Sequence, residues 1–177
     1  MTKDVTFEQM RGSLGSLLLL WGAIERQVRT EVAGLHGGCF PKSAHGIAAV
    51  LNAWETALVA TAPTGSLRSL LAARLRSQLQ EPLDVRNGLC HGLIGISSAY
   101  DGKPAVLAWE INNEKHSIAW DGLQALFSWL SKVPLAISII SNSPTDGLGS
   151  RMIDSPENRE WWLNEYGIKL SSLNERK

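Results

Sequence analysis

Apolar residues in the first part of the chain recur at alternating three- and four-residue steps. Phe7, Met10, Leu14, Leu17, Trp21, Ile24, Val28 and Leu35 form a stripe with Glu31 as its polar break, the pattern of a helix with a near-heptad seam. Thr6 with Gln9 three residues on makes a capping-box start, and Gly37-Gly38 a stop. A helix of about 30 residues is roughly 45 Å long, enough to pack against more than one neighbour, a second subunit included. A second helix is expected from about Ser43 to Ala60, with Ile47, Leu51, Trp54 and Leu58 on one face. Pro63, Thr64 and Gly65 then punctuate. A third helix begins near Ser66 and places Leu67, Leu71, Leu75 and Leu79 at four-residue steps. Pro82 breaks or kinks the chain, and Leu83, Cys90, Leu93 and Ile94 carry an apolar face on to about Ser97.

Beyond a turn at Tyr100 to Pro104, the stretches Ala105 to Ile111 and Lys115 to Trp120 flank Asn112-Asn113 and read as a β-hairpin. Asp121 is placed to cap a helix bearing Leu123, Leu126, Phe127, Leu130, Ile137 and Ile140, kinked by Pro134; Ile137 to Ile140 equally suit a strand. Ser141 to Ser155 reads as a loop. Ser155-Pro156 opens a last short helix that carries Trp161-Trp162 and ends near Gly167. The pattern as a whole predicts a mainly all-α chain, a helix bundle with a small inserted β-hairpin. It reads as one domain over residues 1–177, with a core at about 6–142 and a C-terminal extension at 143–177.

Composition narrows the function classes. The chain has 177 residues, 44% hydrophobic and 19% charged, which excludes an intrinsically disordered polymer. Seventeen basic residues balance seventeen acidic ones, so nucleic-acid binding by bulk charge is excluded and a local basic groove is not. Arg68, Arg74, Arg76 and Arg86 make such a local stretch. The apolar run Leu17 to Ile24, broken only by Gly22, is far short of the ~20 residues a membrane span needs. Met1-Thr2-Lys3-Asp4 lacks the layout of a signal peptide. Cys39 and Cys90 form neither a disulfide framework nor a metal pair. The expectation is a cytoplasmic protein with reduced thiols, not associated with a membrane. His36, His45 and His116 have no carboxylate or thiolate at ligand spacing, so no metal site is expected, and no cofactor.

The chemistry concentrates in Asp84-Val85-Arg86-Asn87-Gly88-Leu89-Cys90-His91-Gly92. On a helix Asn87 and His91 are four apart and share a face. Arg86 is about 140° round from His91, at 100° per residue, and its long side chain can reach back. Polar groups set against an apolar seam are costly unless something satisfies them. Gly88 and Gly92 each cost about 1 kcal/mol against alanine in a helix, and they clear space for a backbone, a second subunit or a ligand. By spacing alone, the same residues also describe a histidine satisfied at a helix interface. Cys90 and His91 diverge by about 100°, which excludes a Cys-His nucleophilic pair and leaves Cys90 as a packing residue.

Arg86-Asn87-x-x-x-His91 resembles the signature of the HEPN superfamily of helical domains: Arg, four to six residues, then His, often with a polar residue after the Arg. The trailing Gly92, the long first helix and its Trp21-to-Glu25 segment resemble the same pattern, over about residues 6–142. The resemblance implies an up-down four-helix bundle that forms a homodimer with its motifs facing each other. In active members the motif is a metal-independent ribonuclease site. By that resemblance Arg86 and His91 are catalytic, Asn87 and Glu25 support them, and RNA is the substrate. The setting it implies is toxin–antitoxin or antiphage defence, with an antitoxin or nucleotidyltransferase as partner. Some toxin members carry a modified tyrosine two residues after the histidine; here that position is Leu93, so that modification has no target. The chemistry agrees with cleavage: RNA brings its own 2′-OH nucleophile, histidine moves protons, and arginine binds phosphate by two points. The alternatives are a non-catalytic HEPN-type module that binds a nucleotide, RNA or protein, and a purely structural helical dimer.

Overall fold

The computed structural model describes residues 5–42, 44–63, 65–142 and 147–170. The expected start of the second helix at Ser43, its punctuation at Thr64, and residues 1–4, 143–146 and 171–177 lie outside them. The chain is mainly helical, with one three-stranded antiparallel sheet. Its internal contacts sort it into two compact units, Met1–Ala23 with Leu79–Ser131, and Ile24–Gln78 with Lys132–Lys177.

Helix α1 runs Phe7–Leu35. Its capping box forms in both directions: the Thr6 N–H donates to Gln9 Oε1 at 2.9 Å, and the Gln9 N–H donates to Thr6 Oγ1 at 3.2 Å. Met10, Leu17, Trp21, Ile24 and Val28 are buried as the stripe requires, whereas Phe7 is exposed. Glu31 is half-buried on the stripe, and its carboxyl is pushed above the usual range by burial, partly offset by the hydrogen bond from Gln27.

The sheet-bearing unit continues with α4, Gln80–Gly92. The helical run breaks just before Pro82, as the sequence predicts: the preceding helix ends at Gln78. The chain turns before α4, at Leu79, and Pro82 sits in the first turn, where a missing N–H costs no intrahelical bond. The helix then stops at Gly92, and Leu93–Ser97 is strand β1 instead of a continued helical face. Leu93 and Ile94 are accordingly exposed, and Cys90 is exposed where packing was expected. The residues from Leu93 to Ile96 are largely β-branched or glycine, and β2 supplies a ladder that an isolated helix end lacks.

Strands β2 (Val106–Ile111) and β3 (Glu114–Ala119) form the expected hairpin. Asn112 and Asn113 have φ of 53° and 66°, the left-handed pair that a two-residue hairpin turn demands. The order is β1-β2-β3, with a bulge in β1 between Leu93 and Gly95. Pairing places Leu93, Trp109 and His116 in one row across the three strands. Helix α5, Trp120–Leu130, follows, with Ala119 at the N-cap position and Asp121 inside the first turn, making no side-chain cap bond.

The second unit holds α2 (Ile47–Thr61), α3 (Leu67–Gln78), α6 (Val133–Ser141), a 3-10 turn at Gly147–Met152 and α7 (Pro156–Tyr166). Helix α2 begins at Ile47 because Gly46 takes φ 78°, a conformation that suits glycine and ends any earlier helix. Ile47, Leu51, Trp54 and Leu58 face its core, as do Leu67, Leu71 and Leu75 of α3. Pro134 falls in the first turn of α6, so the chain starts a new helix there and Ile137 to Ile140 are helical. Ser155 caps α7 by accepting from the Asn158 N–H, and Gly167 ends it. Trp162 is fully buried and donates to the Arg151 carbonyl at 3.1 Å, so the tryptophan pair is a docking element. The stretch Trp120–Ser141 is long and apolar enough by composition to cross a membrane, and 39% of its 18-residue apolar window is buried, a test that core helices also pass.

Candidate functional site

Helix α4 brings Arg86, Asn87 and His91 onto one element. Asn87 and His91 share its outer face at four-residue spacing. His91 lies in the last turn, is exposed, and makes no hydrogen bond among the described residues. It is therefore not a histidine satisfied at a helix interface. The motif occupies the second half of α4, and a strand follows it where the sequence suggested continued helix.

Arg86 takes a different course. Its Cα lies about 140° round the helix from His91, on the side of the buried Leu83 and Leu89. The side chain turns back, and Nη1 donates to Asn87 Oδ1 at 2.8 Å. Asn87 thus links the arginine to the face that carries His91. The guanidinium Nε is buried with no hydrogen-bond partner, and Arg86 forms no ion pair among the described residues. A half-buried cation without a carboxylate, one N–H unmet, is an electrostatic cost that an anion would offset.

The two glycines clear space for this chain's own sheet. A Cβ at Gly88 would stand 2.2 Å from Trp109 Nε1, and one at Gly92 would stand 2.2 Å from the Glu110 carbonyl oxygen. Of the backbone, second subunit or ligand that the sequence allows here, it is this chain's own β2 that makes the close approach. Trp109 is 6% exposed and stacks on His116, with ring centroids 5.7 Å apart and planes 17° apart. His116, for which the sequence offered no partner at ligand spacing, is part of this arrangement. The signal that could have found it is the hairpin register: with the turn at Asn112-Asn113, Trp109 and His116 must pair.

Asp84 is a second residue the motif did not include. It lies three residues before Asn87 and seven before His91, on the same outer face, and accepts from Gln80 Nε2 at 2.8 Å. Its carboxylate places negative charge on the face of Asn87 and His91 and opposes the arginine's charge.

Glu25 belongs to the other unit. Its Oε1 accepts from both Nε and Nη2 of Arg29, at 2.9 and 2.8 Å, which is the ion pair of an ordinary helix face. Of the basic stretch, Arg68 donates to the Asn142 carbonyl and Arg76 Nε to Asn52 Oδ1, whereas Arg74 is exposed. All three also belong to the other unit. Among the described residues no group of three or more His, Cys, Asp or Glu side chains could hold a metal ion. No family model matches the chain, and no curated protein or solved structure matches it.

Proposed function

We propose that this chain is a cytoplasmic, metal-independent endoribonuclease of the HEPN type, acting as a homodimer with α4 at or beside the interface. The observation that carries the reading is Arg86: a half-buried guanidinium with an unmet Nε–H and a neutral partner, joined through Asn87 to the face of an exposed His91. A phosphodiester offers what Arg86 lacks, oxygens of opposite charge in a geometry that the guanidinium fork matches.

In this scheme the 2′-oxygen of the RNA attacks the adjacent phosphorus, and the bond to the 5′-oxygen breaks. The 2′-OH proton passes to a neutral imidazole, and the 5′-oxygen leaves with a proton from an imidazolium. His91 of each subunit is the group for these transfers. Arg86 holds the phosphate and offsets charge as it develops on the non-bridging oxygens. The products are a 2′,3′-cyclic phosphate and a 5′-OH. The toxin–antitoxin or antiphage setting, with its antitoxin or nucleotidyltransferase partner, is part of the same proposal and rests on the motif resemblance.

Leu93 and Ile94, exposed directly beyond His91, favour a second reading, a non-catalytic HEPN-type module that binds a nucleotide, RNA or protein. The assay that separates the two is incubation of the purified protein with total cellular RNA in EDTA. Cleavage should fall by about 10²- to 10⁴-fold in His91→Ala and about 10²- to 10³-fold in Arg86→Ala, and Arg86→Lys should not restore it. Undiminished cleavage by folded His91→Ala, or activity that needs a divalent ion, refutes the scheme.

A further inference from the structure

We propose that His116, backed by Trp109, is the residue on which an unpaired base of single-stranded RNA stacks beside the Arg86–Asn87–His91 face. The inference rests on the RNA-directed reading of that face and adds to it a subsite that the motif does not contain.

Trp109 is fixed. It is almost fully buried, and its indole edge lies where the Cβ of any residue but glycine at position 88 would stand. The His116 ring lies nearly parallel to it, with centroids 5.7 Å apart, so the indole supports the imidazole in an offset stack. The His116 side chain remains 45% exposed, with Nε2 at 4.0 Å from the Glu114 carboxylate. The ring is thus held flat by a rigid support while much of it is open to solvent. Its position relative to the motif follows from the sheet. Leu93, Trp109 and His116 share a row, and adjacent strands are about 4.8 Å apart, so the Cα of His116 is roughly 10 Å from that of Leu93. His91 lies two residues before Leu93, which brings the two histidines within reach of neighbouring nucleotides of one strand. Histidine and other flat side chains are what unpaired RNA bases stack upon. Such a contact tolerates any base, because every base has a π-face.

The test is a fluorescence-anisotropy titration of a labelled single-stranded RNA onto His91→Ala protein, in which cleavage is disabled. The same titration follows with His116→Ala or His116→Phe added, at one fixed salt concentration. His116→Ala should weaken binding on the order of 10- to 100-fold. His116→Phe should restore it to within a few-fold, since a phenyl ring stacks without charge or hydrogen bonds. Unchanged affinity in a folded His116→Ala protein overturns the proposal. So does an equal loss in the alanine and phenylalanine variants, which would assign the effect to charge, and so does an absence of RNA binding by the folded His91→Ala protein. The two readings fail separately: wild type that cleaves nothing but binds RNA through His116 refutes only the nuclease, and cleavage with binding indifferent to His116 refutes only the stack.

Discussion

Alanine substitutions at three glycines should change stability with different signs, although each replaces the same residue in a helix. Gly12 is exposed in α1, and a Cβ there meets nothing within 4 Å. Gly12→Ala removes the entropic cost of glycine, so it should stabilise by about 0.5–1 kcal/mol. At Gly88 the new carbon would lie 2.2 Å from Trp109 Nε1, against an optimum of about 3.5 Å. The indole must move by about 1.3 Å, and a buried ring cannot swing into solvent without losing its packing. Overpacking of this kind costs about 1–3 kcal/mol, and the helix gain of about 1 kcal/mol offsets part of it. At Gly92 the obstacle is the Glu110 carbonyl, a backbone atom in the central strand that no rotamer change can move. Gly92→Ala should therefore fall at the upper end of that range, with little offset at the last helical position. Thermal melts followed by circular dichroism at 222 nm measure the series, at about 2–4 °C per kcal/mol for a chain of this size. The expected order is Gly12→Ala above wild type, Gly88→Ala at or below it, and Gly92→Ala lowest. A Gly92→Ala protein that melts with wild type or above it would refute the packing of α4 on β2.

Ser155→Ala should lower stability by about 1 kcal/mol through loss of the α7 cap, and Ser155→Asp should retain it; urea midpoints decide. Burial raises the Glu31 carboxyl, so the unfolded chain ionises this group first and stability falls as pH rises through the carboxylate range. Glu31→Gln should then be more stable than wild type at pH 7, with the gain vanishing as pH drops below the ordinary carboxylate range; a gain that grows in acid contradicts this. Asp84→Asn should tighten binding of single-stranded RNA by about two- to five-fold at low salt and lose that advantage at high salt, as read by the anisotropy titration. Arg86→Met should leave the melting temperature unchanged or raise it, since it removes an unpaired half-buried cation while keeping an apolar stem, and RNA cleavage in EDTA should be lost.

Sequence carried the long elements and much of the site because both are local. The α1 stripe, its Thr6–Gln9 box, the Asn112-Asn113 hairpin and the Ser155-Pro156 start all depend on residues within one turn of each other, and each forms as its pattern implies. What failed was non-local. Leu93 and Ile94 continue the apolar spacing of α4, so periodicity extends the helix; only the ladder offered by β2 turns them into a strand. Cys90 falls on the same line but stays within α4, with its side chain exposed. Gly88 and Gly92 announced a close approach, but their spacing could not say that the approaching groups are Trp109 and Glu110 of the same chain. Glu25 matched a pattern of residue types, whereas its carboxylate is already occupied by Arg29 one turn on.

The helix that carries the motif departs from a purely structural optimum at several adjoining positions. Gly88 and Gly92 weaken α4 locally, and in return the sheet lies directly against it. That contact sets Trp109 and, through it, His116. Arg86 enters on the buried side of the same helix, where leucine or methionine would fill the space without an unmet N–H, and it bends back to Asn87. His91, one residue before the end of the helix, has both ring nitrogens unengaged by the described residues. Evolution toward stability alone removes such features one at a time. Their concentration on one face of a thirteen-residue helix fits the general observation that local rules are broken where a site requires it. The guanidinium is the most informative of them, because the described residues give it the neutral Asn87 in place of a carboxylate. In the proposed reading that counter-charge is a phosphate of the RNA, bound beside the exposed His91.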